Sequence, residues 1–187
     1  MEINIVTVTV GMLNNQCYIL SLPGREDCVA IDPGSEPEKI RQACGGKKIA
    51  AILLTHGHFD HIGGVDALRE ADTPVMIHEA DAALLASPAL NASWMIGQSI
   101  TARPATRLLH DGEDIEAAGI PFHVIHTPGH TAGSVCYQTG SQLFTGDTLF
   151  HGGYGRTDLP GGDDQAMGAS LRKIAPLAAK CALYPGH

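Results

Sequence analysis

The sequence predicts a layered α/β (α+β) domain, and three observations carry that prediction. Short segments rich in β-branched residues alternate with helical ones, and neither an internal repeat nor a linker interrupts residues 1–187, which read as one domain. Glycine supplies 22 residues, about 12 % against a usual ~7 %, which suits many tight turns and argues against a helical bundle. Apolar residues make up 44 % and charged residues 17 %, enough to build a core and too few charges for a disordered chain.

Taken in order, residues 3–10 and 16–22 form a hairpin across Gly11-Met12-Leu13-Asn14-Asn15. Residues 28–31 add a third strand after the Pro23-Gly24 turn. In Asp32-Pro33-Gly34-Ser35 the expected N-cap is Ser35 with Glu38 as its capping-box partner, and the helix runs to about Cys44, where Gly45-Gly46 stops it. Residues 49–54 are a continuous apolar run bounded by turn signals, hence a strand buried on both faces. Residues 65–71 and 79–86 read as helices on either side of a strand at 75–77, and 87–106 as a loop or irregular helix. Strands follow at 107–109, 120–126, 134–138 and 142–145, then a glycine-rich loop at 152–155, a helix over 163–175 and a last strand at 182–184.

Twelve Lys and Arg against twenty Asp and Glu give a net charge of -8 with no basic tract, so nucleic acid and anionic membranes are excluded as natural partners. The longest apolar run, 49–54, falls far short of the ~20 residues of a membrane span. The first residues carry no basic segment or cleavage site. Cys17, Cys28, Cys44, Cys136 and Cys181 are odd in number, with no C-x-x-C spacing, and read as reduced, packed thiols of a cytoplasmic protein. The expected partner is a small-molecule substrate.

Ten histidines are the unusual figure. Three of them fall in Thr55-His56-Gly57-His58-Phe59-Asp60-His61, directly after the buried strand. At this chain's composition H-x-H-x-D-H arises by chance roughly once in several hundred such chains. Loops beyond the carboxyl ends of buried strands are also where α/β sites form. His56 and His58, two apart, project to one side of an extended backbone and can share a metal. Asp60 and His61, being adjacent, are expected to diverge towards a second ion. Gly57, Gly63 and Gly64 are expected to let the backbone turn tightly around the ions. The competing reading is a polar loop of solvated histidines. Further His and Asp residues stand beyond glycines after later strands, in Pro128-Gly129-His130-Thr131, Gly146-Asp147 and Pro185-Gly186-His187. Imidazoles and carboxylates are donors that zinc, iron and manganese accept.

With HxHxDH at 56–61, PGHT at 128–131, GD at 146–147 and PGH at 185–187, the chain resembles the metallo-β-lactamase fold, most closely its glyoxalase II-like (hydroxyacylglutathione hydrolase-like) branch. The resemblance runs from Asn14-Asn15-Gln16-Cys17 to the last residue, and it implies a four-layer αββα sandwich with a dinuclear site at one edge. It further implies that His56, His58 and His130 bind one Zn2+, that Asp60, His61 and His187 bind a second, and that Asp147 bridges them. Iron or manganese suits the same donors. Glutathione-specific relatives carry a C-terminal helical extension that these residues do not include, so the expected dependence on the thiol is weak. Gly155-Arg156-Thr157-Asp158 is similar to a loop shared with persulfide dioxygenases, which hold one iron.

Two ions about 3.5–4 Å apart lower the pKa of a shared water towards ~7, and the expected chemistry is hydrolysis by that hydroxide, with Asp60 as the catalytic carboxylate. A thiolate leaves without obligatory protonation, because a free thiol has a pKa of ~8.5. Amides and β-lactams need a protonated nitrogen, and no dedicated acid is evident. No G-x-S-x-G motif supplies a serine nucleophile. The leading expectation is therefore a hydrolase of small thioesters. A mononuclear-iron persulfide dioxygenase is second, a lactonase shares the same ligands, and a non-catalytic metal module is the plainest alternative. His78, His110, His123, His126 and His151 are expected outside the ligand set. Phe59 and Tyr154 are candidates for the pocket wall or the core, Trp94 and Met95 for a hydrophobic wall or lid, and Arg156 with Asp158 for a substrate contact or a loop-shaping ion pair.

Overall fold

The expected hairpin forms from β1 (Asn4–Val10) and β2 (Asn15–Ser21) in the computed structural model, which describes residues 1–187. Next to β2 lies β3 (Asp27–Ile31), antiparallel to it, and β4 (Lys48–Leu53), β5 (Val75–His78) and β6 (Arg107–Leu109) continue in parallel, making a six-stranded sheet. The second, five-stranded sheet is an antiparallel run of β7 (Asp114–Ala117), β8 (Ile120–His126), β9 (Val135–Thr139) and β10 (Gln142–Gly146), with β11 (Ala182–Pro185) parallel to β10.

Alternation along the strands decides what each face meets. Ala51 and Leu53 of β4 point between the sheets and pack with Phe122, Tyr137 and Phe144. Ile52 points the other way, into a cluster with Ile40 of α1 (Pro37–Ala43), Ile62 of α2 (Phe59–Ile62) and Val65 and Leu68 of α3 (Val65–Leu68). On the far side Ile174 of α4 (Asp164–Ala178) covers Ile125, Cys136 and Leu143 of the second sheet. The result is the αββα order expected, with β4 buried on both faces. Each large apolar side chain so buried contributes about 1.5–3 kcal/mol.

Several local expectations are corrected. Ser35 does not cap α1, and Glu38 has no capping role. Pro37 occupies the first turn, where its missing N–H costs nothing, and the N-cap is Glu36 in left-handed conformation at φ 50 with no side-chain cap. Ser35 Oγ is buried without a partner, and Glu38 pairs with Arg41. The expected helix at 65–71 is only the single turn of α3, and the motif itself forms the turn α2. Residues 79–86 are a 3-10 segment, Glu79–Ala86, in which Asp81 is turned inward and fully buried. Within 87–106 one 3-10 turn, Ser93–Ile96, forms. The strand β7 was not expected, although Asp114-Ile115-Glu116-Ala117 alternates exposed and buried residues. The helix expected over 163–175 forms as α4: Asp163 is its N-cap, accepting from Ala166 N at 2.7 Å, and it continues to Ala178 with Pro176 in its last turn.

Candidate metal centre

The carboxyl ends of β4, β8, β10 and β11 open on one edge of the sandwich, and all seven candidate residues converge there. Val135 N donates to Thr55 O across the two sheets at 2.8 Å, and Gly186 N donates to Gly146 O at 2.8 Å, so the loops carrying the motifs are tied to each other by backbone bonds. Three groups have donor atoms within 4.8 Å of one another: His56, His58 and His130; His56, His61 and Asp147; and Asp60, His61 and His187. Asp147 stands between the halves, with Oδ1 3.4 Å from His61 Nε2 and Oδ2 3.4 Å from His130 Nε2 and 3.5 Å from His187 Nε2. Asp60 and His61 do not diverge. Both lie on the helical turn α2, where neighbours are about 100° apart, and Asp60 Oδ2 sits 3.7 Å from His61 Nε2 and 3.2 Å from His187 Nε2.

Outer hydrogen bonds fix the rings. His61 Nδ1–H donates to Asp32 Oδ2 at 3.0 Å, His130 Nδ1–H to the Arg156 carbonyl at 2.7 Å and His187 Nδ1–H to the Leu13 carbonyl at 2.9 Å. Thr55 Oγ1 gives its proton to Asp32 Oδ2, so it accepts from His56 Nδ1–H at 3.1 Å. Four rings are thereby held with Nδ1 protonated and the Nε2 lone pair turned to the centre, the arrangement outer-shell partners impose on ligating histidines. His58 Nδ1 faces His130 Nε2 at 2.9 Å.

The donor set fits a divalent cation. His56 Nε2, His58 Nε2, His61 Nε2 and Asp147 Oδ1 are buried with no hydrogen-bond partner, each at a cost of about 1–3 kcal/mol that a cation would relieve. Burial, then the neighbouring His61 and His130, holds His56 well below its ordinary range. Burial and His130 push His58 down to about 3. Both are therefore in the neutral form that ligates. Burial would raise Asp147, yet His61 and His130 draw it below the usual carboxylate range. Burial would lower His61, but Asp60, Asp147 and Asp32 raise it well above its ordinary value. That concentration of negative charge also favours a metal ion.

Glycines serve the site differently from the expectation. Gly57, Gly63 and Gly64 pack against neighbouring chain, not around the ligand cluster: a Cβ there would meet Leu84 Cβ at 2.5 Å, Gly34 O at 2.4 Å and Pro33 O at 2.7 Å. The close approaches to the ligands belong to Gly186, where a Cβ would lie 2.2 Å from Asp147 Oδ1, and Gly155, where it would lie 1.9 Å from Asp147 O.

Two carboxylates hold the loops from behind. Asp32, 2 % exposed, accepts from Thr55 N at 2.7 Å as well as from Thr55 Oγ1 and His61. Asp81, fully buried, accepts from Gly57 N at 2.9 Å, Thr131 Oγ1 at 2.7 Å and Gly133 N at 2.7 Å, joining the HxHxDH loop to the PGHT loop. The sequence marks Asp32 only as a turn residue, and its left-handed φ of 50 is the physical trace of its position. Asp81 carries no local signal, because its partners lie 24, 50 and 52 residues away.

The other histidines stay outside the cluster. His78 is buried and stacked on His126 at 4.0 Å, while His110 and His123 face Glu79 and Asp114 on the surface, and His151 is exposed. A cavity of about 500 Å³ opens over the site, walled by Leu13, Phe59, Met95, Ile96, Phe150 and Leu159 among others. Tyr154 and Trp94 are more than half exposed and enter no core. Arg156 and Asp158 form a bidentate pair at 2.7 and 2.8 Å, the loop-shaping alternative. No cysteine lines the cavity, all five thiols are free, and no helix is long and apolar enough to cross a membrane.

The family model of the metallo-beta-lactamase superfamily matches residues 10–187, so the chain belongs to that superfamily of metallo-hydrolases, and its His/Asp cluster implies a divalent metal. Among curated relatives, the probable metallo-hydrolase YqgX of Bacillus subtilis is 39 % identical over 95 % of this chain and 87 % of its own length. A hydroxyacylglutathione hydrolase of Aeromonas hydrophila is 36 % identical over 96 % of this chain, which spans 64 % of that protein. Among solved structures, the B3 metallo-beta-lactamase BLEG-1 superposes with a TM-score of 0.93 at 38 % identity, covering 98 % of this chain and 91 % of its own. The di-iron-bound form of TTHA1623 gives 0.85 at 40 % identity, covering 97 % and 91 %.

Proposed function

We propose that the chain is a metal-dependent hydrolase of small thioesters, hydroxyacyl thioesters among them. In this reading His56, His58 and His130 hold one ion, Asp60, His61 and His187 hold a second, and Asp147 lies between. Zinc is the proposed metal, and iron or manganese suits the same donors. The observation that carries the reading is the set of inward, unpartnered imidazole and carboxylate atoms beneath an otherwise apolar cavity. Divalent ions in such a set supply Lewis acidity and bring the ionisation of water towards neutral pH. Asp60, which burial would raise but His61 and His187 keep ionised, offers a proton acceptor on the cavity wall. A thiolate leaves unprotonated, so the absence of any acid on the wall beyond the ligand residues costs thioester cleavage little. The five free cysteines support a reducing, cytoplasmic setting.

The similarity to BLEG-1 favours a second reading, β-lactam hydrolysis. It ranks lower because an amide nitrogen must be protonated as it leaves, a demand that would fall on Asp60 after it has taken a proton from water, whereas a thiolate makes no such demand. The deciding experiment reconstitutes the metal-free chain with zinc or with iron and offers S-lactoyl thioesters, a β-lactam, a lactone and a persulfide. Chelator-sensitive thioester hydrolysis is the expected dominant activity. Sulfite formation by the iron form alone would assign the persulfide dioxygenase reading instead. Arg156, the one charged wall residue outside the cluster, is already paired with Asp158. Lactoyl esters of glutathione and of a minimal thiol should therefore react within about a hundredfold of each other, ~2.7 kcal/mol in transition-state binding.

A further inference from the structure

The wall of the cavity is of two kinds. One side is the candidate ligand cluster with Arg156 beside it, and most of the rest is Leu13 from the hairpin tip, Phe59, Met95 and Ile96 from the 93–96 turn, and Phe150 and Leu159 from the last long loop. Leu13 and Met95 are 47 % and 46 % exposed, so apolar side chains stand in water beside the site. The turn that presents Met95 and Ile96 is deliberately held. Asn91, fully buried, donates to Leu84 O at 3.1 Å and Ile100 O at 2.8 Å and accepts from Ser93 N at 3.1 Å. Ala92 enters the turn at φ 65, a left-handed conformation that a residue with a Cβ adopts only when its surroundings enforce it. A buried polar network thus maintains an apolar face at the mouth of a polar site.

We infer that this wall seats the acyl chain of the substrate, and that the preferred thioesters carry an extended apolar acyl group. The inference rests on the thioester reading and adds the substrate class to it. The acyl half is assigned by chemistry. Common carrier thiols bear carboxylates, phosphates or amides, which this mostly apolar wall, whose one cation Arg156 is already paired with Asp158, would desolvate at a cost, whereas a hydrocarbon chain gains from it. With its carbonyl at the cluster, the chain runs along Met95, Ile96 and Leu159 while the thiol faces solvent. Each methylene that reaches the wall is worth up to about fourfold in binding.

The test uses the metal-loaded chain and two series. In the first, thioesters of one thiol with acetyl to decanoyl groups are compared by kcat/KM; in the second, straight-chain fatty acids of the same lengths are titrated calorimetrically. The expected result is a rise of at least tenfold from the two-carbon to the eight-carbon member in both series. In Met95→Ser/Ile96→Ser the octanoyl-to-acetyl ratio should drop at least threefold. Thioesters cleaved at rates independent of chain length, with flat fatty-acid affinity, overturn the inference and leave the thioesterase reading standing. No thioester cleaved, but affinity rising with length, supports the wall and removes the thioesterase reading. An equal gain when the alkyl chain is moved to the thiol overturns the assignment to the acyl half.

Discussion

The two halves of the candidate centre are built to different degrees of enclosure. His56, His58 and His130 are 1 %, 3 % and 3 % exposed, and Asp81 ties the two loops that carry them. In the other half His61 is fully buried against Asp32, but the side chains of Asp60 and His187 are 13 % and 26 % exposed and border the cavity. The first half is the more rigidly enclosed, although His58 and His130 also line the cavity, and the second is the more open to it. Asp81 braces the first half alone, whereas Asp32 holds His61 directly and reaches His56 only through Thr55, so the two carboxylates perturb the halves to different degrees.

The largest effect is expected from His58→Ala, which removes a proposed ligand from the enclosed half. It should lose bound metal and all detectable hydrolysis, whereas His123→Ala, on the surface beside Asp114, should change neither. Metal content and activity measured on both variants check this, and like behaviour of the two would mean that the histidines are wrongly divided.

Next come the two carboxylates. Asp81→Ala orphans Gly57 N, Gly133 N and Thr131 Oγ1, and should cost about 3 kcal/mol or more of stability in urea unfolding. Because it frees the loops of His56, His58 and His130, it should also weaken the ion of that half by roughly 10–100-fold. Asp32→Asn should weaken mainly the ion held with His61, its direct partner, and to a lesser degree the one held with His56, which it reaches through Thr55. Competition with a graded chelator reads the two affinities. The comparison fails if both variants weaken the same ion more.

Much of this was legible from the chain, for definable reasons. Buried β4 and the motif after it are local signals, as are the glycines that precede His130, Asp147 and His187. The capping of α1 was misread because Ser35 and Glu38 fit a pattern that Pro37 overrides two residues later. The turn of α2 was missed, and with it the convergence of Asp60 and His61, because four residues carry no helical period. Asp81 was invisible, since its role exists only once β4 and the loop after β8 are neighbours.

Smaller effects test packing around the ligands. Gly155→Ala places a methyl against Asp147 O and within 3.0 Å of His130 Nδ1, whereas a Cβ at Gly152 meets nothing within 4 Å. The first substitution should destabilise the fold by about 1–3 kcal/mol in thermal unfolding, and Gly152→Ala should stay within about 0.5 kcal/mol. An effect absent at neutral pH and seen only on acidification concerns His78, which burial and the stacked His126 push down to about 4. Its neutral form is favoured in the folded state, so its contribution is present above pH 6.5 and is lost as pH falls from about 6.5 to 4. His78→Asn keeps an acceptor for Ala80 N and removes the titration, and should flatten that part of the stability profile relative to the parent.

Under the proposed reading both halves hold an ion at once, the enclosed one and the one more open to the cavity. Native mass spectrometry of the metal-free chain titrated with zinc tests it most directly. Two additions per chain are expected, with Asp60→Ala and His187→Ala each reducing the count to one. A parent chain that saturates at one ion, unchanged by either substitution, would contradict it.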